Sequence, residues 1–341
     1  PRNENPKKIR NMIIKGCKRS AINIGNRKKA IESSIKELGP NEILLVAGKG
    51  HEETQDYGNK IVNFSDKKNI LKILKKRKYP DKRDYWSNFI VSKALKVNNL
   101  KNLNYNGVSI STKTIKKNNL FFAIKGKKND GHKFVKEAIK KGAIKSVVSK
   151  KIEKISNNKI IKVKNTLSSL NDLAKVTRGH VFAEIIAITG SVGKTTLKNL
   201  IGFALNNYGK TYFSPHSYNN KFGVPLSMAN LKKNTDYGVF EIGMDKKGEI
   251  NTLSKIVKPE IGVITNISEA HFKNFKTLKD IARAKAEIID NILEGGTIVL
   301  NKDDKFFNFL SNKAKKKGLL VVSFGLKKNA DIFLASLKKN K

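Results

Sequence analysis

Ile185-Ile186-Ala187-Ile188-Thr189-Gly190-Ser191-Val192-Gly193-Lys194-Thr195-Thr196 runs from an apolar strand through a glycine loop into Lys-Thr-Thr, ahead of a helical pattern over 197–205. That order builds a phosphate cradle. Glycines let the backbone turn sharply and aim N–H groups at an anion. The helix N-terminus adds the positive end of its dipole. A lysine at position 194 reaches β/γ-phosphates, and the Thr195 hydroxyl suits Mg²⁺. Gly190, Ser191, Val192, Gly193, Lys194, Thr195 and Thr196 are therefore the candidate nucleotide site. The usual first glycine, five positions before Gly193, is Ile188. The loop is the shorter G-x-x-G-K-T-T form, which lowers the weight of a generic ATPase. A bare glycine turn before a helix is the ordinary alternative. It is disfavoured because strand, loop, Lys-Thr and helix agree.

Composition bounds the rest. A chain of 341 residues is expected to form two or three domains. Lysine and arginine number 70 against 28 acidic residues, a formal charge of +42. Such a balance can mark a nucleic-acid binder. Here the lysines are spread along the whole chain among Asn and Ile, without an Arg-rich block, zinc-finger spacing or aromatic RNA-binding signature. Solvated faces and an AT-rich coding bias explain the pattern, and anionic small substrates remain favoured. No nucleic-acid partner is expected; a basic non-enzymatic nucleic-acid module is the alternative from another class. Cys17 is the single cysteine, so an internal disulfide is impossible and a reducing, cytoplasmic compartment fits. No apolar run approaches a membrane span. The sequence opens on Pro1-Arg2 rather than methionine, so a piece of a longer product is expected.

Hydrophobic patterning gives an α/β chain in three segments. In residues 1–78 the pattern predicts a helix over 28–38, a short strand over 42–47 leading into Gly48-Lys49-Gly50-His51-Glu52, and a basic helix over 70–78. Tyr79-Pro80-Asp81 reads as a break. Residues 79–181 read as a compact α/β domain, with a helix over 86–95 and strands at 108–111, 120–124, 146–148 and 160–163. A further helix over 134–141 is closed by Gly142. Residues 182–341 alternate strands and helices, with strands at the loop, 238–242, 261–265, 297–300 and 319–323. This predicts a mostly parallel sheet with ligands beyond the carboxyl ends of its strands.

Several polar residues fall at those ends. Glu241 can hold Mg²⁺ directly or through water; alone, a solvated strand-end carboxylate explains it equally well. His271 can bind metal or phosphate, although a lone histidine is more often a packing or surface residue. Lys285 lies in a helical run, where a solvated face is the default. Asn301, with Asp303 and Asp304, forms a polar turn that suits a nucleotide base or ribose, or is a plain turn.

Taken together, these runs resemble a known family. Gly190 to Thr196, Tyr218-Asn219-Asn220-Lys221-Phe222-Gly223-Val224-Pro225, Phe240-Glu241-Ile242-Gly243-Met244, Thr265-Asn266-Ile267-Ser268-Glu269-Ala270-His271, Ala284-Lys285-Ala286-Glu287-Ile288 and Leu300-Asn301-Lys302-Asp303-Asp304 look like the ATP-binding central domain of the Mur ligases. Within that family they resemble the MurF type. Asn119 to Gly126 followed by Asp130-Gly131-His132-Lys133-Phe134 is similar to that type's UDP-sugar-binding N-terminal domain. Residues 1–78 resemble a different member. Pro1 to Pro6, Asn26 to Ile31, Ala47 to Glu52 and Phe64-Ser65-Asp66 look like the Rossmann-like C-terminal domain of the MurE type, which adds the third residue of the peptide. A folate-polyglutamate-type ligase shares the central-domain logic, but the Asp130 and Asn219-Asn220 runs argue against it.

The resemblance implies a MurE–MurF junction that stops before the second ligase's C-terminal domain. It implies a monomeric ligase that uses ATP and Mg²⁺ to join D-alanyl-D-alanine to UDP-N-acetylmuramoyl-tripeptide through an acyl phosphate. Addition of meso-diaminopimelate by a MurE-type activity is the alternative. In the implied roles, Lys194 holds the β/γ-phosphates, Thr195 and Glu241 one Mg²⁺, and His271 a second. The lysine matching Lys285 is carbamylated in several relatives, and Asn301 meets the adenine. Ser111, Thr112, Lys113, Asn219 and Asn220 are implied on the sugar-nucleotide substrate, and Arg2, Gly48 and Glu52 on the MurE-type amino acid. The chain departs from the family pattern in three places. Ser111-Thr112-Lys113 replaces a common Asp-Ser-Arg, exchanging a planar guanidinium for a point charge. Ser217 and Asp245 each stand where Asn is common.

Overall fold

The computed structural model describes residues 6–16, 22–37, 43–48, 52–56, 61–76, 88–97, 100, 104–126, 129–269 and 274–336. Packing divides the chain into two units, Pro1–Arg83 and Asp84–Lys341. The sequence boundary at 78/79 lies outside the described residues.

In the first unit, α1 (Pro6–Lys15) and α2 (Arg27–Glu37) are followed by a two-stranded antiparallel pair, β1 (Thr54–Asp56) and β2 (Ile61–Asn63), and by α3 (Asp66–Lys76). Ile31, Ile35 and Ile73 bury the inner stripes of α2 and α3. Arg27 clamps the unit, donating to both Asp66 carboxylate oxygens at 2.8 and 2.6 Å and to the Ala47 carbonyl at 2.9 Å. The strand expected over 42–47 is not formed in its described part, residues 43–47. Leu44 and Val46 pack on the helices, whereas Ile43 and Leu45 are 94% and 85% exposed. The period-two pattern is that of a strand, but no partner strand lies beside it among the described residues, and without a ladder the segment is only extended.

The second unit holds two parallel sheets. After α4 (Asn88–Leu95), strands β3 (Gly107–Ser109), β4 (Asn119–Phe122), β5 (Ala143–Val148) and β6 (Ile160–Lys162) pair in sequential order. Helix α5 (Val135–Lys140) follows a 3₁₀ turn at Gly131–Phe134, and Gly142 ends it at φ +104°. A long helix that sequence patterning missed, α6 (Thr166–Gly179), then leads to the larger sheet; Asn165 caps it by accepting the Ser168 N–H at 2.9 Å.

The larger sheet forms from β7 (Glu184–Thr189), α7 (Lys194–Leu205), β8 (Thr211–Phe213), α8 (Gly223–Ala229), β9 (Tyr237–Glu241), α9 (Glu249–Val257), β10 (Ile261–Ile264), α10 (Leu278–Lys285), β11 (Thr297–Asn301), α11 (Phe307–Lys316), β12 (Leu320–Gly325) and β13 (Ile332–Phe333). Among the described residues it has seven strands, all parallel, in the order β13-β12-β11-β10-β7-β9-β8. The chain leaves β7 toward β8 and β9 on one side and returns to β10 on the other. The crevice at the carboxyl end of β7 is thus the topological switch point, where ligands of such sheets bind. The edge strands β8 and β13 escaped sequence detection because each is two or three residues long.

Arg178, near the end of α6, fastens this sheet. It donates to the carbonyls of Val257 and Lys258 at 2.8 and 2.7 Å and to Glu260 at 2.7 Å. The second Glu260 oxygen accepts the Ile185 N–H at 2.7 Å. One guanidinium therefore satisfies the carboxyl end of α9 and, through Glu260, the start of β7. Removing Arg178 leaves two carbonyls and the partly exposed Glu260 carboxylate without their charged donor. Arg178→Met is expected to lower the stability of this unit by about 2 kcal/mol, read as a shift in its urea unfolding midpoint.

Candidate active site

The strand ends meet in register. Ile188 lies opposite Glu241, and Thr189 opposite Ile264. The loops leaving β7, β9 and β10 therefore start side by side. Gly190 turns at φ +148°, and a Cβ there would stand 1.8 Å from the Thr265 hydroxyl. Only glycine permits that approach. Gly193 caps α7 at φ +81°. The loop is pinned by its neighbour: Ser191 N–H donates to the Asn266 carbonyl at 3.0 Å, and Val192 N–H to the Asn266 side chain at 3.2 Å. Ser191 Oγ donates to the Ser268 carbonyl and accepts the Ser268 N–H, each at 2.9 Å. Thr265 Oγ1 donates to the Val192 carbonyl at 2.7 Å. Asp304, after β11, accepts the Ile267 N–H at 2.6 Å and ties this brace to the next turn. The helix-opening N–H groups of Lys194, Thr195 and Thr196 have no acceptor among the described residues, as the first turn of a helix leaves them.

Glu241, only 1% exposed, is the carboxylate of the crevice. One oxygen accepts the Thr195 hydroxyl at 2.7 Å and the other accepts the Asn219 amide at 2.8 Å. Ser217 Oγ lies 3.4 Å from Thr195 Oγ1. A hydroxyl and a carboxylate side by side are hard oxygen donors and fit Mg²⁺ rather than a soft metal. No group of three or more His, Cys, Asp or Glu side chains that could hold a metal occurs among the described residues. The pair matches the habit of Mg²⁺, which takes one or two protein ligands and completes its shell with phosphate and water.

Two lysines converge on one carbonyl. Lys194 Nζ donates to the oxygens of Gly190 and Ser191 at 2.9 and 3.1 Å, and Lys285 Nζ to Gly190 at 2.7 Å. Burial lowers the Lys194 pKa, and the Glu241 charge opposes the shift. Lys285 is 2% exposed. Burial, and then repulsion by Lys194, bring its pKa down to about 7. The solvated helix face that is the default for a lysine in this run is thereby excluded. Two positions on, Glu287 turns the other way and accepts the N–H groups of Gly248 and Asn251 at the start of α9.

Other sequence candidates fall elsewhere. Asn220 accepts the Phe222 and Gly223 N–H groups at 3.0 and 3.1 Å in the turn that leads into α8. The Asn301 side-chain oxygen Oδ1 accepts the Asp303 N–H at 2.9 Å within its own turn. Ser111, Thr112 and Lys113 form the turn after β3, at the carboxyl end of the smaller sheet, where Ser111 Oγ accepts the Lys113 N–H at 3.2 Å. Gly48 takes φ +101° and Glu52 is exposed, both in the first unit. His271 and Arg2 lie outside the described residues. Sequence reasoning read Asp304 as part of a polar turn toward a nucleotide, whereas here it braces the Ile267 backbone; it did not single out Asn266, Ser268 or Lys198. Asn266 and Ser268 sit in a motif already quoted, at a strand end; Lys198 is one turn beyond Lys194 on the same helix face.

The lowered Lys285 pKa has a stability consequence. Between about pH 7 and the ordinary lysine value, the unfolded chain holds a proton that the folded chain does not, so this group's contribution to stability rises with pH across that window. It is lost as pH falls through the window. The wild-type stability minus that of Lys285→Met is expected to increase from pH 7 to 10, by at most about 1.4 kcal/mol per pH unit, in denaturation series run at each pH.

Comparison with known proteins points to one family. Residues 188–341 match the Mur ligase middle domain, and residues 104–178 match the Mur ligase family, catalytic domain. The UDP-N-acetylmuramoyl-tripeptide–D-alanyl-D-alanine ligase of Rickettsia prowazekii (strain Madrid E) is 36% identical over 241 residues, covering 70% of this chain and 54% of that protein. The ligase of the same name from Bacillus subtilis (strain 168) is 35% identical over 199 residues, covering 58% and 44%. The crystal structure of MurF from Acinetobacter baumannii superposes with a TM-score of 0.66 at 28% identity, covering 74% of this chain and 56% of that one. MurF from Thermotoga maritima in complex with ADP gives 0.57 at 29%, covering 66% and 51%. The chain spans about half the length of the curated relatives it matches. With a short phosphate loop, a buried strand-end carboxylate and a buried lysine at the switch point, and with both family models matched in order, the chain belongs to the Mur ligase family.

Proposed function

We propose that the protein containing this chain is an ATP-dependent amide ligase that joins D-alanyl-D-alanine to UDP-N-acetylmuramoyl-tripeptide. The observation that carries the reading is the Thr195–Glu241 pair beside the Gly190–Lys194 loop, in a chain whose relatives bear that ligase's name. The ADP complex of the Thermotoga maritima structure supports a nucleotide at this loop.

The reaction must bring two anions together. A substrate carboxylate oxygen attacks the γ-phosphorus of ATP, the bond to ADP breaks, and an acyl phosphate forms. The amine of D-alanyl-D-alanine then attacks the acyl carbon, loses a proton and expels phosphate. Charge neutralisation and positioning dominate such a transfer. The free N–H groups at the start of α7 aim at the phosphates. The Lys194 ammonium, already at the loop, turns from the Gly190 and Ser191 carbonyls to the β/γ-oxygens. Thr195 and Glu241 would hold Mg²⁺, which would supply Lewis-acid charge to the phosphoryl transfer. Asn219 orients Glu241 through its second oxygen. Lys285, with its pKa near 7, offers a neutral amine at physiological pH, the form that carbamylation by CO₂ needs; we propose it as the carbamylated lysine. Asn301 is proposed at the adenine, His271 at a second Mg²⁺, and Ser111, Thr112, Lys113 and Asn220 on the sugar nucleotide. For residues 1–78 we propose a MurE-type C-terminal domain, with Arg2, Gly48 and Glu52 toward its amino acid. We further propose a monomer working in the cytoplasm. Among the described residues no helix is long and apolar enough to cross a membrane.

The gene product that contains this chain is expected to release ADP only when ATP, UDP-N-acetylmuramoyl-tripeptide and D-alanyl-D-alanine are all present. Lys194→Ala should cut that release by about a hundredfold or more, the scale of losing one aimed donor on a transferring group. Turnover that survives the substitution, or that does not need the dipeptide, would sink the assignment.

A further inference from the structure

Lys198 is 1% exposed, yet no part of the proposed phosphate chemistry uses it. It follows Lys194 by one turn of α7. Its ammonium donates to the Ser214 carbonyl at 2.7 Å and to the His216 carbonyl at 2.6 Å. Neither bond involves the glycine loop, whereas both hydrogen bonds of the Lys194 ammonium do. Burying a cation is costly, and an apolar side chain such as the neighbouring Leu197 or Ile201 would fill space without that cost. What Lys198 gains is control of the segment after β8.

That segment is strained and bears on the Thr195–Glu241 pair. His216, which carries a Cβ, stands at φ +47°. A side-chain-bearing residue persists there only when its surroundings hold it. Directly after it, Ser217 Oγ lies 3.4 Å from Thr195 Oγ1. Asn219 donates to Glu241, and its carbonyl accepts the Gly243 N–H at 2.8 Å. Before it, Ser214 Oγ lies 3.4 Å from the Glu241 N–H. The two carbonyls gripped by Lys198 therefore bracket the left-handed turn that delivers Ser217 and Asn219.

We propose that Lys198 is a positioning residue: by holding the Ser214 and His216 carbonyls it sets Ser217 and Asn219 against the Thr195–Glu241 pair, and so fixes the affinity of the site for the magnesium–nucleotide complex. The proposal rests on the ligase reading above. It separates two properties that a general loss of structure would lower together. Binding of ADP without metal depends on the loop and the start of α7, which Lys198 does not touch. Binding of ADP with Mg²⁺ depends also on the pair that it positions.

Calorimetric titration of the 341-residue chain with ADP, in Mg²⁺ and in EDTA, reads this split. Lys198→Met is expected to weaken binding in Mg²⁺ by about tenfold, the scale of two carbonyls losing a charged donor, and to leave binding in EDTA unchanged. Equal losses in both conditions, or no loss in either, overturn the proposal. His216→Pro tests the same turn without emptying a buried position, because His216 is exposed and proline cannot adopt φ +47°. It is expected to reproduce the Mg²⁺-specific loss. If Lys198→Met fails to fold, an unaltered Mg²⁺ dependence in His216→Pro overturns the proposal by itself. A wild-type chain that binds no ADP in either condition would instead overturn the nucleotide reading, and this proposal with it.

Discussion

The close approach of Gly190 to Thr265 is the constraint on which the site depends. Any side chain at 190 would collide with the Thr265 hydroxyl, so the loop after β7 can interlock with the loop after β10 only through a glycine. Once they interlock, Asn266 and Ser268 take up the N–H groups of Val192 and Ser191 and the Ser191 hydroxyl. The loop's outer edge is thereby fixed by a neighbouring strand rather than by its own sequence. Its inner edge faces Glu241 at the end of β9, which Asn219 from the segment before α8 holds in place. The parallel order β10-β7-β9 makes this possible, since it sets three carboxyl ends side by side at the switch point.

Much of this was legible in the sequence. The strand at 185–188, the glycine spacing and Lys194-Thr195 marked the cradle, because strand, turn and helix each leave an independent local signal. Glu241 and Lys285 were legible only as members of an ordered set. A carboxylate at a strand end and a lysine on a helix are common, and what distinguishes these two is burial, which is decided by distant residues. Lys198 carries no local mark at all in a chain with 70 lysines and arginines. The strand expected over 42–47 shows the converse. Its alternation is correct, but a strand exists through its partner's hydrogen bonds, and alternation does not report whether a partner is beside it. The two-residue strand β13 failed for want of length, and α6 was missed although Asn165 caps it.

The formal charge of +42 says little by itself, because most of the lysines are solvated. Among the described residues, Lys194, Lys198 and Lys285 are drawn out of solvent in the neighbourhood of the glycine loop, and in each the pKa is lowered by burial first. Each is satisfied mainly by backbone carbonyls rather than carboxylates; Glu241 opposes the shift for Lys194 and Lys198. For Lys194 this arrangement suits a polyanion. A cation already paired with a carboxylate would have to break a strong ion pair to meet phosphate, whereas a carbonyl-bound ammonium exchanges a neutral acceptor for a charged one.

The Gly190 carbonyl couples two of them. It accepts from both Lys194 and Lys285, so both of its lone pairs are engaged and the two ammonium groups repel each other across it. That repulsion is part of what brings the Lys285 pKa down to about 7. A phosphate that draws Lys194 away from Gly190 relieves the repulsion and adds negative charge nearby; both changes favour the protonated form of Lys285. By linkage, the protonation state of Lys285 and anion binding at the loop each shift the other by the same free energy. The glycine that admits the backbone contact with Thr265 thus also places the oxygen through which the two lysines sense each other.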